Sequence, residues 1–385
     1  MQSSVSVPKS KLPDVGTTIF TVMSTLAHQH DAINLSQGFP GFPIDPRLSE
    51  LVTEAMSAGI NQYAPMAGLP ILREAISQKL EATYGCRYDP ETEVTVTAGA
   101  TQALYTAIGS FVGEGDEVVI FTPAYDSYAP AVKVHGASPI FVQLKAPTYR
   151  ISWDEVRKVV SRKTRMIIIN SPHNPSATLL TREDLIELEK IVSGSDIIVI
   201  SDEVYEHIVL DGNQHVSSCE IDGLRERTIA VFSFGKTLHA TGWKLGYAVG
   251  PMELMSEFRK VHQYNVFSAN SPMQHAIANY LQDESKYLGL GQLFQHKRDF
   301  FLDKLKGSRF EWEPAQGTYF QLLNYSNISQ GLDVDVAKEW TEKHKVASIP
   351  ISVFYHARLD EKMLRFCFAK EDEELARAAE ILRKI

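Results

Sequence analysis

The chain has few cysteines, no long apolar run and no excess of positive charge. Each absence closes off a class of function. Only Cys86, Cys219 and Cys367 occur in 385 residues. They are far apart, odd in number and without metal-ligand spacing, so neither a disulfide scaffold nor a cysteine metal site is expected; structural thiols in a reducing compartment are. No apolar stretch approaches the ~20 residues of a membrane span. The opening MQSSVSVPKSKLPDVG is polar and has no apolar core of a secretory leader, and a cytoplasmic protein is expected. Lys and Arg number 38 against 47 Asp and Glu, a formal net charge of −9, which argues against nucleic acid or an anionic membrane as the main partner. Internal repeats and low-complexity tracts are also lacking. A chain of this length exceeds one small core, so one large domain or two are expected.

What is present is a regular alternation. VTVTAG (94–99) reads as a strand and TQALYTAIGSF as the helix after it. DEVVIFTPAY, ASPIFVQL, TRMIIINSPHNP, IIVISDEVY (197–205), TIAVFSF (228–234) and LGYAVG (245–250) read as further strands. TREDLIELEKIVSG opens with a capping box from Thr181 to Asp184 and carries apolar residues at helical spacing. MIIIN and IIVIS are apolar throughout, as strands covered on both faces must be. Strands alternating with helices predict an α/β fold: a mostly parallel central sheet with helices on both faces and a site at the carboxyl ends of the strands. Near residue 285 the pattern changes. GTYFQLL, VASIPIS, KMLRFCFA and a closing helix in KEDEELARAAEILRKI predict a smaller α+β domain, with a cleft between the two as the ligand site.

Gly235-Lys236-Thr237 could end a phosphate-binding P-loop, but that loop needs a glycine five residues earlier, and position 230 is Ala230. The lysine needs another role. Polar residues gather where strands end: Asn170 and Asn174, then Asp202, Glu203 and Tyr205, then Ser233 and Lys236. The N–H groups of Ala100, Thr101 and Gln102 open a helix, where amides and the helix dipole suit a phosphate. A desolvated lysine amine can attack a carbonyl, and a carboxylate can hold a ring nitrogen protonated. Lysine Schiff base, acid partner and phosphate cradle together describe a site for pyridoxal phosphate. A metal cluster of Asp202, Glu203, Glu206 and His207 is not expected, because they cannot all point inward from so short a segment.

SFGKTLHATGWKLGY, SPHNPSA, SDEVYEH and MLRFCFA, with LSQGFPGF (35–42) and NQYAPMAGLPILREAI (61–76), resemble the class I, fold type I pyridoxal-phosphate-dependent aminotransferases over nearly the whole chain. Within that family the methionine branch, then the kynurenine/glutamine branch, is the nearest likeness. The resemblance implies that Lys236 forms the Schiff base and carries the proton between substrate Cα and cofactor C4′. It implies that Asp202 pairs with the pyridine nitrogen and that Tyr205 and Asn174 bond the cofactor's ring hydroxyl. Tyr125 would stack on the ring, and Ala100, Thr101, Gln102, Ser233 and Lys244 would bind the phosphate. Tyr63 would reach the phosphate of the other subunit, making a homodimer with shared sites. Arg365 would grip the substrate carboxylate with Gly38 and Asn174, while Phe354, Phe267 and Tyr63 would lie near the side-chain pocket. Strand alternation puts Arg365 on the face of Met363 and Cys367, opposite Leu364, Phe366 and Phe368.

The family's commonest pattern has arginine where Lys244 stands and a small residue where His239 stands. Lysine still meets a phosphate as a point charge, and the kynurenine branch carries it too; His239 has no sequence-level explanation. The implied layout is an arm at 1–16, a large cofactor-binding domain at 45–284, and a small domain from 17–44 and 285–385. The implied activity moves the α-amino group of methionine and large apolar or aromatic amino acids to a 2-keto acid. No second cationic residue offers itself for a dicarboxylate side chain. Two other readings share the sequence features: a β-lyase acting on cysteine conjugates with the same cofactor, and a non-enzymatic cofactor-sensing regulator, for which 1–16 is too short to be a DNA-binding domain.

Overall fold

The computed structural model describes residues 9–385. Residues 1–8 of the expected arm lie outside the described residues, and 9–16 form neither helix nor strand. The strands in chain order are β1 (Ile33–Asn34), β2 (Val94–Thr97), β3 (Glu117–Thr122), β4 (Ser138–Gln143), β5 (Thr164–Asn170), β6 (Ile198–Asp202), β7 (Thr228–Ser233) and β8 (Gly246–Val249). They continue with β9 (Phe320–Asn324), β10 (Val346–Ala347), β11 (Ile349–Pro350) and β12 (Met363–Cys367). The first five helices are α1 (Ile19–Gln29), α2 (Pro46–Ser57), α3 (Pro70–Tyr84), α4 (Ala100–Phe111) and α5 (Tyr128–Val134).

Seven strands form the central sheet in the order β2-β8-β7-β6-β5-β3-β4. β8 is antiparallel to both neighbours and the other pairings are parallel, so the sheet is mostly parallel, as expected. Its strands are apolar on both faces because both faces are covered. Val119, Phe121, Ile167, Ile169 and Val199 join one buried cluster with Leu72, Ile76 and Leu80 of α3. Their neighbours Val118, Ile120, Met166, Ile168 and Ile200 join a second cluster with Leu104, Ala107 and Ile108 of α4. A period of two along each strand thus feeds two separate helical layers.

The remaining strands form two smaller sheets, an antiparallel β11-β12-β9 and a parallel β1-β10 pair. VASIPIS, read as one strand, is two. Val346 and Ala347 pair with Ile33 and Asn34, whereas Ile349 and Pro350 pair with Arg365 and Leu364, and Ser348 is the corner between the sheets. Pro350 lacks an N–H and sits on an edge strand, where none is needed. The capping box forms as read: Asp184 N–H donates to Thr181 Oγ1, and Thr181 N–H to Asp184 Oδ2 at 2.9 Å. The closing helix, Asp372–Leu382, packs against Leu290–Leu305.

Candidate active site

Register brings the strand ends together. Asn170 on β5 lies opposite Asp202 on β6, and Ser233 on β7 lies opposite Gly246 on β8, which in turn lies opposite Thr97 on β2. Above this row is a cavity of about 160 Å³. Its lining includes Ala100, Thr101, Tyr125, Asn174, Asp202, Tyr205, Ser233, Lys236 and Lys244, residues that stand up to 144 positions apart in the sequence. Two expected cofactor contacts do not bring their side chains into this cavity. The Gln102 side chain accepts from the Ala98 N–H, donates to Thr106 at 2.6 Å and meets His262 at 3.2 Å, so only its backbone remains for the cradle. Tyr63 is 81 % exposed, packs edge-on against Phe267 at 5.1 Å and lies outside its own chain's cavity. Phe267 is itself 57 % exposed and does not line that cavity either.

At one wall, α4 begins after Gly99, whose φ of 83° is in the left-handed region. Ala103 N–H makes the first helical bond, to Gly99, so helix geometry leaves the preceding N–H groups without intrahelical partners. Lys244, with φ of 53°, brings its amine to 3.4 Å from where a Gly99 Cβ would stand. A Cβ on Gly246 would meet Phe232 O at 2.5 Å and Ala100 N at 3.0 Å, so only glycine lets β8 approach α4 this closely. Free amides at the start of a 12-residue helix, a lysine and the Ser233 hydroxyl suit an anion such as a phosphate.

At the sheet side, Asp202 is 3 % exposed. Burial pushes its carboxyl up to about 6, while the Tyr128 hydroxyl donates to Oδ2 and the Val204 N–H approaches Oδ1 at 3.4 Å, both favouring the carboxylate. Tyr128, on α5, was not singled out in the sequence. Its spacing in FTPAYDSY is uninformative, and only the tertiary fold brings it to β6. Glu203, Glu206 and His207 turn elsewhere. Glu203 binds His215 at 2.8 Å and Ser218 at 2.8 Å; Glu206 binds Lys79 at 2.7 Å and Tyr84 at 2.6 Å. Burial alone would raise Glu206, but the Lys79 charge beside it wins and holds it down to about 2. The His207 ring lies against Tyr287, and burial lowers it to about 3. These pairs lock the turn that carries Asp202 and Tyr205.

Lys236 lies just after β7, in the helical turn Phe234–Thr237, which is one turn long and has no glycine-rich loop before it. Its amine donates to Tyr319 Oη at 2.8 Å and to Gly38 O at 3.1 Å, and sits 5.4 Å from the Tyr205 and Tyr319 ring centres. Burial pulls it down to about 8. Near physiological pH a far larger share of this amine is neutral than of an ordinary lysine, and that neutral form can attack a carbonyl and take up a proton. Arg365 is 1 % exposed and donates to Asn174 Oδ1 at 2.7 Å and to Ser36 O at 3.4 Å, with Nε unpartnered. Its guanidinium lies 3.8 Å over Phe320, with Phe354 at 5.5 Å and Phe20 of α1 at 5.3 Å. Such a desolvated, planar cation suits a carboxylate. Every residue of β12 is buried, so Leu364 and Phe366 are covered as fully as the arginine face. Tyr319 and Phe20, like Tyr128, were not singled out in the sequence.

His239 now has a location. Its φ is 57°, and its ring is wedged edge-on between Phe42 at 5.0 Å and Phe294 at 5.6 Å. Burial lowers it to about 4, so the imidazole is a neutral packing element.

An amine, an acid and the free amides of a helix start share one cavity, Arg365 is bonded to Asn174 of its lining, and residues 30–382 match the aminotransferases of class I and II. The chain belongs to that family. This aminotransferase is 48 % identical to methionine aminotransferase of Escherichia coli over the whole of both chains. It is 33 % identical to human kynurenine–oxoglutarate transaminase 1, over 93 % of each chain. A solved Escherichia coli structure reported to identify a methionine aminotransferase function superposes with a TM-score of 0.97 at 49 % identity, covering 99 % of this chain and all of the other. The aminotransferase fold seen here is therefore that of fold type I, and among the described residues no helix is long and apolar enough to cross a membrane.

Proposed function

We propose that this aminotransferase uses pyridoxal 5'-phosphate to move the α-amino group of methionine, and of other large apolar or aromatic amino acids, to a 2-keto acid. One observation carries the reading: Lys236 and Asp202 share a cavity with the unbonded start of α4. The residues fit the group in kind. Ala100, Thr101 and Gln102 through their backbone, with Ser233 and Lys244, would hold the phosphate; Asp202 would face the ring nitrogen; Asn174 and Tyr205 would bond the ring hydroxyl; Tyr125 would cover a ring face. When bound, the cofactor supplies an electron sink for the charge left at Cα as its proton departs.

The protein's own residues do the rest. Arg365, steered by Asn174, binds the substrate carboxylate through two parallel N–H bonds, and this orients the Cα–H bond. Lys236, lowered to about 8, takes that proton. Asp202, supported by Tyr128, stays ionised beside a protonated ring. The aromatic surround of Phe20, Phe320 and Phe354 supports apolar donors, because among the described residues no cation besides Arg365 lies over these rings. The 48 % identical methionine aminotransferase supports methionine in particular. The exposed Tyr63–Phe267 pair supports a homodimer in which each subunit completes its neighbour's site. The separate sheets support the division into a domain at 45–284 and one from 17–44 and 285–385. The free, buried Cys86, Cys219 and Cys367 support a reducing compartment such as the cytoplasm.

A panel of amino acids, scored for conversion of the aldehyde cofactor to its amine and for the keto acid formed, tests the reading. Methionine, phenylalanine and tyrosine should convert the cofactor fastest. Release of ammonia and pyruvate from cysteine conjugates, without cofactor conversion by methionine, would overturn it.

A further inference from the structure

Tyr319 stands outside the roles given above, yet its hydroxyl touches the one amine on which they depend. It is 0 % exposed, and its O–H donates to Gly38 O at 2.6 Å. A phenol has a single hydrogen, so toward Lys236 Nζ, 2.8 Å away, Tyr319 can only accept. Gly38 O, at 3.1 Å from the same nitrogen, can only accept as well. A neutral amine has two N–H bonds and one lone pair around its tetrahedral nitrogen. Two fixed acceptors take both N–H bonds, and the lone pair is left as the remaining direction.

We propose that Tyr319 is a positioning residue for Lys236: with the Gly38 carbonyl it occupies both N–H bonds of the neutral amine and so aims the lone pair into the cavity where the substrate Cα proton is taken. This rests on the reading of Lys236 as the cofactor lysine and base. Several features make the Tyr319 ring a fixed point. It is edge-on to Tyr205 at 5.2 Å and to Phe320 at 5.0 Å, and tilted against Phe294 at 5.6 Å. Thr318 just before it has φ of 62°, a costly conformation for a β-branched residue and one found where geometry is being held for a purpose. Burial drives the phenol well above its ordinary range, so it stays protonated and its bond to Gly38 persists. Among the described residues Nζ has no third acceptor, so an ammonium would keep one N–H unpartnered, which adds to burial in favouring the neutral form. The other titratable groups facing the amine are Asp202 from β6, Cys367 and Arg365 from β12, Lys244 beside α4, and Tyr205.

The test is Tyr319→Phe, which keeps the ring and removes the oxygen. In the cofactor-free protein, competitive acetic anhydride labelling of Lys236 across pH gives the amine's midpoint. An acceptor stabilises an ammonium more than an amine, so its loss should move the midpoint down by roughly half to one pH unit. In the holoenzyme, kcat should fall about 10- to 100-fold with KM for methionine within about twofold, and α-deuterated methionine should show a larger isotope effect than with the wild type. A base that is more often neutral yet slower is the signature of lost aim; a packing role alone would not move the labelling midpoint. An unmoved or raised midpoint, or kcat within twofold of wild type, overturns the proposal. Failure of the underlying reading would show separately, as turnover persisting in Lys236→Ala.

Discussion

Replacing Tyr128 with phenylalanine isolates the support of Asp202. In the wild type, burial lifts this carboxyl from 3.8 to about 6, and the Tyr128 hydroxyl acts in the other direction by donating to the ionised form. A hydrogen bond to a charged group is worth ~1.5–3 kcal/mol, and one pH unit corresponds to about 1.4 kcal/mol. Tyr128→Phe should therefore move the Asp202 midpoint up by about one to two pH units, into the range of roughly 7 to 8. The sign carries through to stability. The folded-state value lies above the unfolded one, so the contribution of Asp202 to the cofactor-free protein is complete below 3.8 and is lost as pH rises through about 6. In the variant that loss continues through about 7 to 8. Infrared titration of the carboxylic-acid stretch in the cofactor-free protein, assigned by its disappearance in Asp202→Asn, reads the midpoint directly. Urea unfolding at acid and alkaline pH reads the linked stability, and the variant should lose more of it by pH 8. A midpoint equal to or below that of wild type would refute the argument that the phenol holds Asp202 ionised.

Four further outcomes are expected. Lys236→Ala should lose the visible absorbance of the bound aldehyde and reduce transamination by several orders of magnitude; turnover near wild type would end the assignment. Lys79→Met should destabilise the protein by about 3–5 kcal/mol in urea unfolding, because it strands Glu206 in a site where both side chains are 2 % exposed; a loss under about 1 kcal/mol would show that the pair is not needed. Gly38→Ala places a Cβ 2.8 Å from Phe320 Cζ, beneath Arg365, and should lower kcat/KM for methionine about 10- to 100-fold with little change in unfolding; an unaffected value would detach Gly38 from the substrate site. Mixing inactive Tyr63→Ala and Lys236→Ala dimers under subunit exchange should restore about a quarter of wild-type activity, through the one intact site of each hybrid; no recovery would argue against sites shared between subunits.

The sequence by itself determined the strands of the central sheet, a few of the helices and the polar residues at the strand ends. Hydrophobic period is a local property, and in a parallel sheet the carboxyl ends of strands gather on one side whatever the strand order. Strand ends alone therefore place Lys236, Asp202, Asn174 and Ser233 together, and they line one cavity. The helix at Ala100 was legible too, because a strand, a glycine and an apolar helical run lie in a single stretch. Tertiary structure alone decided the partners that tune these groups. Tyr128 reaches Asp202 across 74 residues, Tyr319 reaches Lys236 across 83, and Arg365 reaches Asn174 across 191. Nothing periodic links such positions. It likewise decided that Gln102 turns its side chain toward His262, that VASIPIS divides between two sheets, and that His239 fills a gap between Phe42 and Phe294. Which groups enter the site follows from where strands end; how each is charged and aimed follows from burial and from hydrogen bonds between distant segments, and these exist only once the chain has packed.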